Sequence, residues 1–133
     1  MTLSRGLGFS REDRETNVER VGWVASRLAR TGAAVVVSLV SPYASGRAAA
    51  RALVELHATF LEVHVDTALE ECARRDPKGM YGMAAHGELP DFTGVSAPYE
   101  RPERPDLRLR TEGRTPDECA REVVQALVAA GLA

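Results

Sequence analysis

The run AAVVVSLV, Ala33–Val40, constrains this chain more than any other stretch. It is short, continuous in its apolar character, rich in β-branched residues, and closed off by Gly32 and Pro42. A strand buried on both faces of a parallel sheet reads this way, because helices cover each side of such a sheet. The segments on either side alternate in period. Ser10 with Asp13 three residues later reads as a helix cap, and Val18, Val21, Val24, Ala25 and Leu28 follow at helical spacing until Thr31-Gly32. Beyond Pro42, the alanine-rich Tyr43–Leu56 favours helix despite Gly46.

FLEVHVDT, Phe60–Thr67, alternates Leu61, Val63 and Val65 against Glu62 and His64, the pattern of a second strand. Thr67 and Glu70 match a capping box, predicting a helix to about Arg75. The stretch DPKGMYGMAAHGELPDFTG, Asp76–Gly94, has neither strand alternation nor the apolar stripe of a stable helix. The proline-rich APYERPERPD after it is too rigid and too polar for core. LRLRT predicts a short third strand. A last helix opens at the Thr115 cap, with Pro116 first, Glu118 completing the box, and Val123, Val124, Leu127 and Val128 on one face. Helices and strands in this order predict one α/β domain with a parallel sheet and right-handed crossovers, and 133 residues suit a single core. Ligands of such sheets sit beyond the carboxyl ends of the strands, here at Ser38–Pro42 and at Asp66-Thr67.

Charge and composition narrow the function classes. A net charge of −2 gives no expectation of general nucleic-acid or anionic-membrane binding. No apolar run approaches membrane-spanning length and the first residues lack a signal-peptide core, so a cytoplasmic location is the expectation. Cys72 and Cys119 lack CxxC spacing and read as reduced thiols. His57, His64 and His86 are scattered, and no metal site is expected of them.

Five strings, in order and in register, carry a family resemblance: GLGFSREDRETNVERVG from Gly6, SLVSPY from Ser38, EVHVDTALEECARRDPKGMY from Glu62, DFTGVSAPYERPERPDL from Asp91 and TEGRTPDE from Thr111. Together they resemble adenylyl-sulfate kinase, the ATP-dependent P-loop kinase that phosphorylates the 3′-hydroxyl of adenosine 5′-phosphosulfate. The resemblance implies a three-layer P-loop-kinase-like parallel sheet with helices on both faces, a lid at about residues 76–100, and the use of ATP with Mg2+. It also implies sulfate activation as the role, with adenosine 5′-phosphosulfate and ATP/ADP as ligands.

Residue by residue, the resemblance carries the two rings that stack on the purine onto Phe9 and Phe92, each set in a polar, glycine-containing string rather than a core run. Arg14 and Asn17 fall to the phosphosulfate, the first for its forked donors and the second as a neutral donor on the same helical face. Val40, Ser41 and Pro42 line the substrate pocket in the family, while Lys78, the only lysine beside sixteen arginines, and Asp91 match further substrate positions. Arg74 and Arg75 fall near the nucleotide phosphates, and Arg114 borders ATP's adenine. From local sequence alone, Arg14, Asn17 and Lys78 also suit a solvated surface, Ser41 a plain turn, and Arg74 and Arg75 cations at a helix C-terminus.

The chain departs from the family in one decisive respect. The Walker pattern G-x-x-x-x-G-K-[ST] is absent, and no Gly-Lys pair occurs anywhere. Relative to the family, the first β-P-loop-α-β unit is lacking, so the catalytic lysine has no counterpart. The isolated chain is expected to be weak or inactive as a kinase, or to serve as a non-catalytic nucleotide-binding or regulatory relative. A homodimer or a complementing P-loop polypeptide is the partner implied. Without the family's central first strand, the two strands beside it must pair directly, borrow a strand, or leave edges open. The lid carries Gly82, Met83 and Ala85 where the family commonly has basic residues.

Overall fold

A computed structural model describes residues 2–132. The order is α1 (Arg11–Ala29), α2 (Ala44–Glu55), β1 (Val63–Val65), α3 (Leu69–Arg75), α4 (Met80–Ala85), β2 (Leu107–Leu109) and α5 (Pro116–Ala129). These elements fall into two compact units. The first comprises residues up to 60 together with Pro98–Arg101, and the second Leu61–Ala97 together with residues from 102 onward.

In the first unit α1 starts where its cap predicts: the Ser10 side chain accepts the Asp13 amide, with Glu12 and Asp13 in the first turn. The helix ends before Gly32, which takes φ 84°. Successive contacts show that α1 and α2 run parallel. Glu15 meets Ser45, Val18 lies against Gly46, Gly22 against Ala50, and the Ser26 hydroxyl donates to the Leu53 carbonyl. The two helices touch through their small residues. A β-carbon on Gly22 would stand 2.9 Å from that of Ala50. Val18, Ala25, Ala50, Val54 and Tyr43 make up the buried apolar set of this pair, and Ser26, the most buried residue, has its hydroxyl satisfied.

Ala33–Val40 corrects the expectation of a buried strand. The run is extended but belongs to no ladder among the described residues, and its side chains are exposed except that of Val35, which is half-buried, Val36 standing at 94 %. β-propensity favours an extended backbone, but a strand exists only where a neighbour accepts its hydrogen bonds. Of the outcomes open to the chain, leaving edges open is the one found here.

In the second unit β1 and β2 form a parallel pair, Val63 opposite Leu107 and Val65 opposite Leu109. The chain is thus α/β with a small parallel sheet. The second strand is confined to three of the eight residues expected. His64 and Leu109 are buried, whereas Val65 is 58 % exposed. α5 forms with its full capping box and Pro116 at the start. Its apolar face has no buried residue: Val123 and Leu127 are half-buried, and Val124 and Val128 exposed. α3 begins without the expected box. The Thr67 hydroxyl pairs with Thr111, and the Glu112 carboxylate takes the Ala68 amide. α4, inside the stretch that reads as irregular, is a further correction, and its cause lies in Asp76, described below.

Candidate functional site

The parallel packing of α1 and α2 brings both N-termini to the same end of the first unit. Arg11 of α1 lies 4.3 Å over the Tyr43 ring at the start of α2, and Glu15 accepts from the Ser45 hydroxyl at 2.6 Å. The sequence-predicted residues of this unit gather here. Phe9 precedes α1 and is 73 % exposed, an open ring face. Arg14 donates from Nε to the Phe9 carbonyl at 2.8 Å and places its guanidinium 5.6 Å from the ring centre. It therefore orients the aromatic side chain as well as adding charge. Asn17 accepts from the Ser4 hydroxyl at 2.9 Å, which leaves its amide nitrogen outside that contact.

Val40, Ser41 and Pro42 lead from the extended run into α2. Val40 is exposed and Pro42 buried. Ser41 has φ 43°, one of only two non-glycine residues with positive φ among those described. Such a backbone costs about 1–3 kcal/mol and persists only where surrounding contacts enforce it. Those contacts come from Arg47 and Glu100. Arg47 donates to the Ser41 carbonyl and to the Glu100 carbonyl, both at 2.7 Å, while the Glu100 amide donates to Pro42 O at 2.8 Å. The Glu100 carboxylate accepts the Ala44 amide and so caps α2, whose own Tyr43 N-cap supplies no side-chain acceptor.

In the second unit the carboxyl ends of β1 and β2 are pinned together. The Thr67 and Thr111 hydroxyls lie 2.6 Å apart, and Arg108 pairs with Asp66 at 3.3 Å. Arg75 donates to both the hydroxyl and the carbonyl of Thr111, at 3.0 and 2.9 Å, and to Glu71 at 2.7 Å. Arg74 grips Glu71 with two bonds of 2.7 Å. This fork-to-carboxylate geometry pulls Glu71 down to about 2, through Arg74 first and then Arg75. The Ala68 amide likewise lowers Glu112, and Thr115 lowers Glu118. Arg114 is tied to the Arg110 and Glu118 carbonyls and to Glu122 at 2.6 Å. Arg74, Arg75 and Arg114 are thus engaged with the chain itself: Arg75 holds α3 to Thr111, Arg74 braces Glu71 within α3, and Arg114 ties the 111–114 turn to α5.

The lid stretch has its own scaffold. The Asp76 carboxylate accepts the amides of Tyr81 and Gly82, both at 3.1 Å, satisfying the first turn of α4, and Gly79 takes φ 68° to bring the chain round. Tyr81 on α4 meets Phe92 edge-on, ring centres 5.0 Å apart at 84°. Burial, then a hydrogen bond to Cys72, pushes the Tyr81 phenol up. Phe92 donates its amide to the Ser96 hydroxyl, and its carbonyl accepts the amides of Val95, Ser96 and Ala97. Asp91, immediately before it, is the other positive-φ residue, at 56°. Lys78 is exposed at the turn into α4.

Phe9, Arg14, Asn17, Val40, Ser41 and Pro42 thus belong to the first unit, and Arg74, Arg75, Lys78, Asp91, Phe92 and Arg114 to the second. The sequence reading missed Arg47, Glu71, Tyr81 and Glu100. Only Glu71 carried a local signal, its i,i+3 and i,i+4 spacing to Arg74 and Arg75. Among the described residues no group of three or more His, Cys, Asp or Glu side chains could hold a metal ion, and no helix is long and apolar enough to cross a membrane.

Comparison with known proteins identifies the family. The family model described as Adenylylsulphate kinase matches residues 1–110. The chain is 50% identical over 125 residues to the bifunctional enzyme NodQ of Rhizobium sp. (strain N33), covering 94% of this chain and 19% of that protein. It is 43% identical over 125 residues to the adenylyl-sulfate kinase of Staphylococcus epidermidis, covering 94% of this chain and 62% of that one. It spans less than two thirds of either relative. Among solved structures it resembles the Mycobacterium tuberculosis APS kinase CysC in complex with AMPPNP and APS, with TM-score 0.88 and 47% identity over 94% of this chain and 72% of that one.

Proposed function

The chain belongs to the adenylylsulphate kinase family, and we propose that it is the substrate-holding part of a kinase that phosphorylates the 3′-hydroxyl of adenosine 5′-phosphosulfate with ATP. The observation that carries this reading is the shared N-terminal end of α1 and α2. There the exposed Phe9 ring and Arg14 lie at the start of α1, and the left-handed Ser41 turn leads into α2, whose start meets that of α1. An anionic nucleotide suits such a place, since the Arg14 guanidinium favours negative charge while the exposed ring favours the purine. The resemblance adds Asn17, Val40 and Pro42 to the same substrate, and Lys78, Asp91 and Phe92 from the lid stretch.

In the reaction the 3′-hydroxyl oxygen bonds to the γ-phosphorus, the bond to the β,γ-bridging oxygen breaks, ADP leaves, and the hydroxyl proton passes to solvent or a base. This chemistry demands a phosphate-cradling loop with its lysine, which the chain's own sequence lacks. We place that loop on a complementing polypeptide segment, with the open, apolar Ala33–Val40 run as the edge a further strand would meet. Mg2+ would accompany the ATP phosphates and offset their charge, and the chain's own described side chains form no cluster to hold it. The protein would act in the cytoplasm.

A second reading rests on a specific combination: Phe9, Arg14, Asn17 and Phe92, which the resemblance assigns to the nucleotide, are present while the Walker loop is absent. On that reading the chain binds the nucleotide and regulates rather than catalyses. Calorimetry with adenosine 5′-phosphosulfate, followed by a product assay with ATP and an added P-loop segment from a relative, separates the two. Binding with restored turnover supports the kinase. Binding without turnover supports the regulator, and no binding to the folded chain removes both.

A further inference from the structure

Ser41 is held in an unfavourable backbone by groups that have no part in the sequence motif around it. Its carbonyl receives Arg47 Nη1 at 2.7 Å, and Arg47 Nη2 reaches the Glu100 carbonyl at the same distance. Glu100 in turn bonds Pro42 through its amide and Ala44 through its carboxylate. One guanidinium and one returning residue thus fasten the whole turn from Ser41 to Ala44. Without them an L-residue at φ 43° would relax toward negative φ, because its β-carbon crowds the following carbonyl.

We infer that Arg47, braced by Glu100, is a positioning residue that keeps Ser41 in the left-handed conformation in which its hydroxyl and amide meet the substrate; this rests on the substrate reading above. The planar fork is essential to the role. Two parallel N–H donors reach two carbonyls at once, which a lysine ammonium on a flexible stem does not reproduce. Arg47 itself need not touch the ligand.

The test is a double-mutant cycle between Arg47→Ala and Ser41→Gly on the full chain, read by calorimetry with adenosine 5′-phosphosulfate. Glycine adopts positive φ without penalty, so it makes the brace dispensable. Arg47→Ala is expected to weaken binding about tenfold in the otherwise unchanged chain, and by about threefold or less in the Ser41→Gly background. Arg47→Lys should retain most of the alanine loss. Equal losses in both backgrounds, or full recovery with lysine, would overturn the inference.

If the unaltered chain binds no adenosine 5′-phosphosulfate, the substrate reading fails on its own. The brace is then judged by amide exchange at Ala44, whose bond to Glu100 reports a closed turn. Arg47→Ala should accelerate that exchange about tenfold unless Ser41 is also glycine. Unchanged exchange would sink the brace as well.

Discussion

The carboxylate of Glu100 accepts the backbone amide of Ala44 at 2.7 Å, so a residue 56 positions away supplies the cap that α2 lacks locally. Glu100 also lies 3.7 Å from Arg11, which joins the starts of α1 and α2 to the same side chain. Glu100→Ala should lower stability by about 0.5–2 kcal/mol, the usual value of an N-cap. In thermal melts that corresponds to roughly 2–7 °C for a chain of this size. Glu100→Gln, which keeps an acceptor, should lose less than half as much.

Gly22 sets how closely α1 approaches α2. A β-carbon there would come within 2.9 Å of the Ala50 β-carbon and 3.2 Å of its α-carbon, so the helices must separate to admit it. Gly22→Ala should destabilise by about 1–3 kcal/mol despite alanine's better helix propensity. Urea unfolding measures this. A second substitution, Ala50→Gly, should restore part of the loss by clearing the contact.

The acid response should reveal the Arg74-Glu71-Arg75 cluster. Glu71 titrates at about 2 against an ordinary 4.5, held down by its two arginines. A depressed carboxyl contributes stability that is complete above the unfolded value and is lost as pH falls through the folded one. The melting difference between the unaltered chain and Glu71→Gln should therefore be constant above about pH 5 and shrink as pH falls from 4.5 toward 2. A difference that persisted unchanged at pH 2 would show that Glu71 acts by packing alone.

Phe9 and Phe92 should separate in their effects. Phe9 is 73 % exposed, so Phe9→Ala should change stability by no more than about 0.5 kcal/mol. Its loss of stacking should weaken adenosine 5′-phosphosulfate binding by about 5- to 150-fold. Phe92 is half-buried against Tyr81, so Phe92→Ala should cost about 0.5–1.5 kcal/mol of stability beyond its effect on binding. Thermal melts and calorimetry on the same variants distinguish the two.

The open Ala33–Val40 run should make the chain associate. Val36 is 94 % exposed and Val40 61 %, on an extended backbone that joins no ladder among the described residues. Val36→Lys should lower concentration-dependent association in sedimentation velocity without lowering the melting temperature, since a lysine on an edge opposes edge-to-edge pairing.

Local chemistry was legible in advance wherever it depends on neighbours in sequence. The Ser10 cap, the Thr115-Glu118 box and the glycine at position 32 are interactions within a few residues, and their letters specify them. The assignment of Phe9, Arg14 and Phe92 to a purine and an anion came from the family resemblance rather than from local pattern. What α4 does was not legible: Asp76 reaches forward to two amides across a proline and a glycine turn, and no apolar stripe announces a six-residue helix capped that way.

By itself, then, the sequence determined the starts of α1 and α5, the α/β class and the family of the chain, since each rests on local pattern. Tertiary structure alone decided that Thr67 bonds Thr111 rather than capping α3, that Arg75 is tied to Thr111, and that Glu100 caps α2. It also decided the state of Ala33–Val40. Propensity makes that run extended, but pairing is a property of two segments, and the run's own residues cannot supply the second.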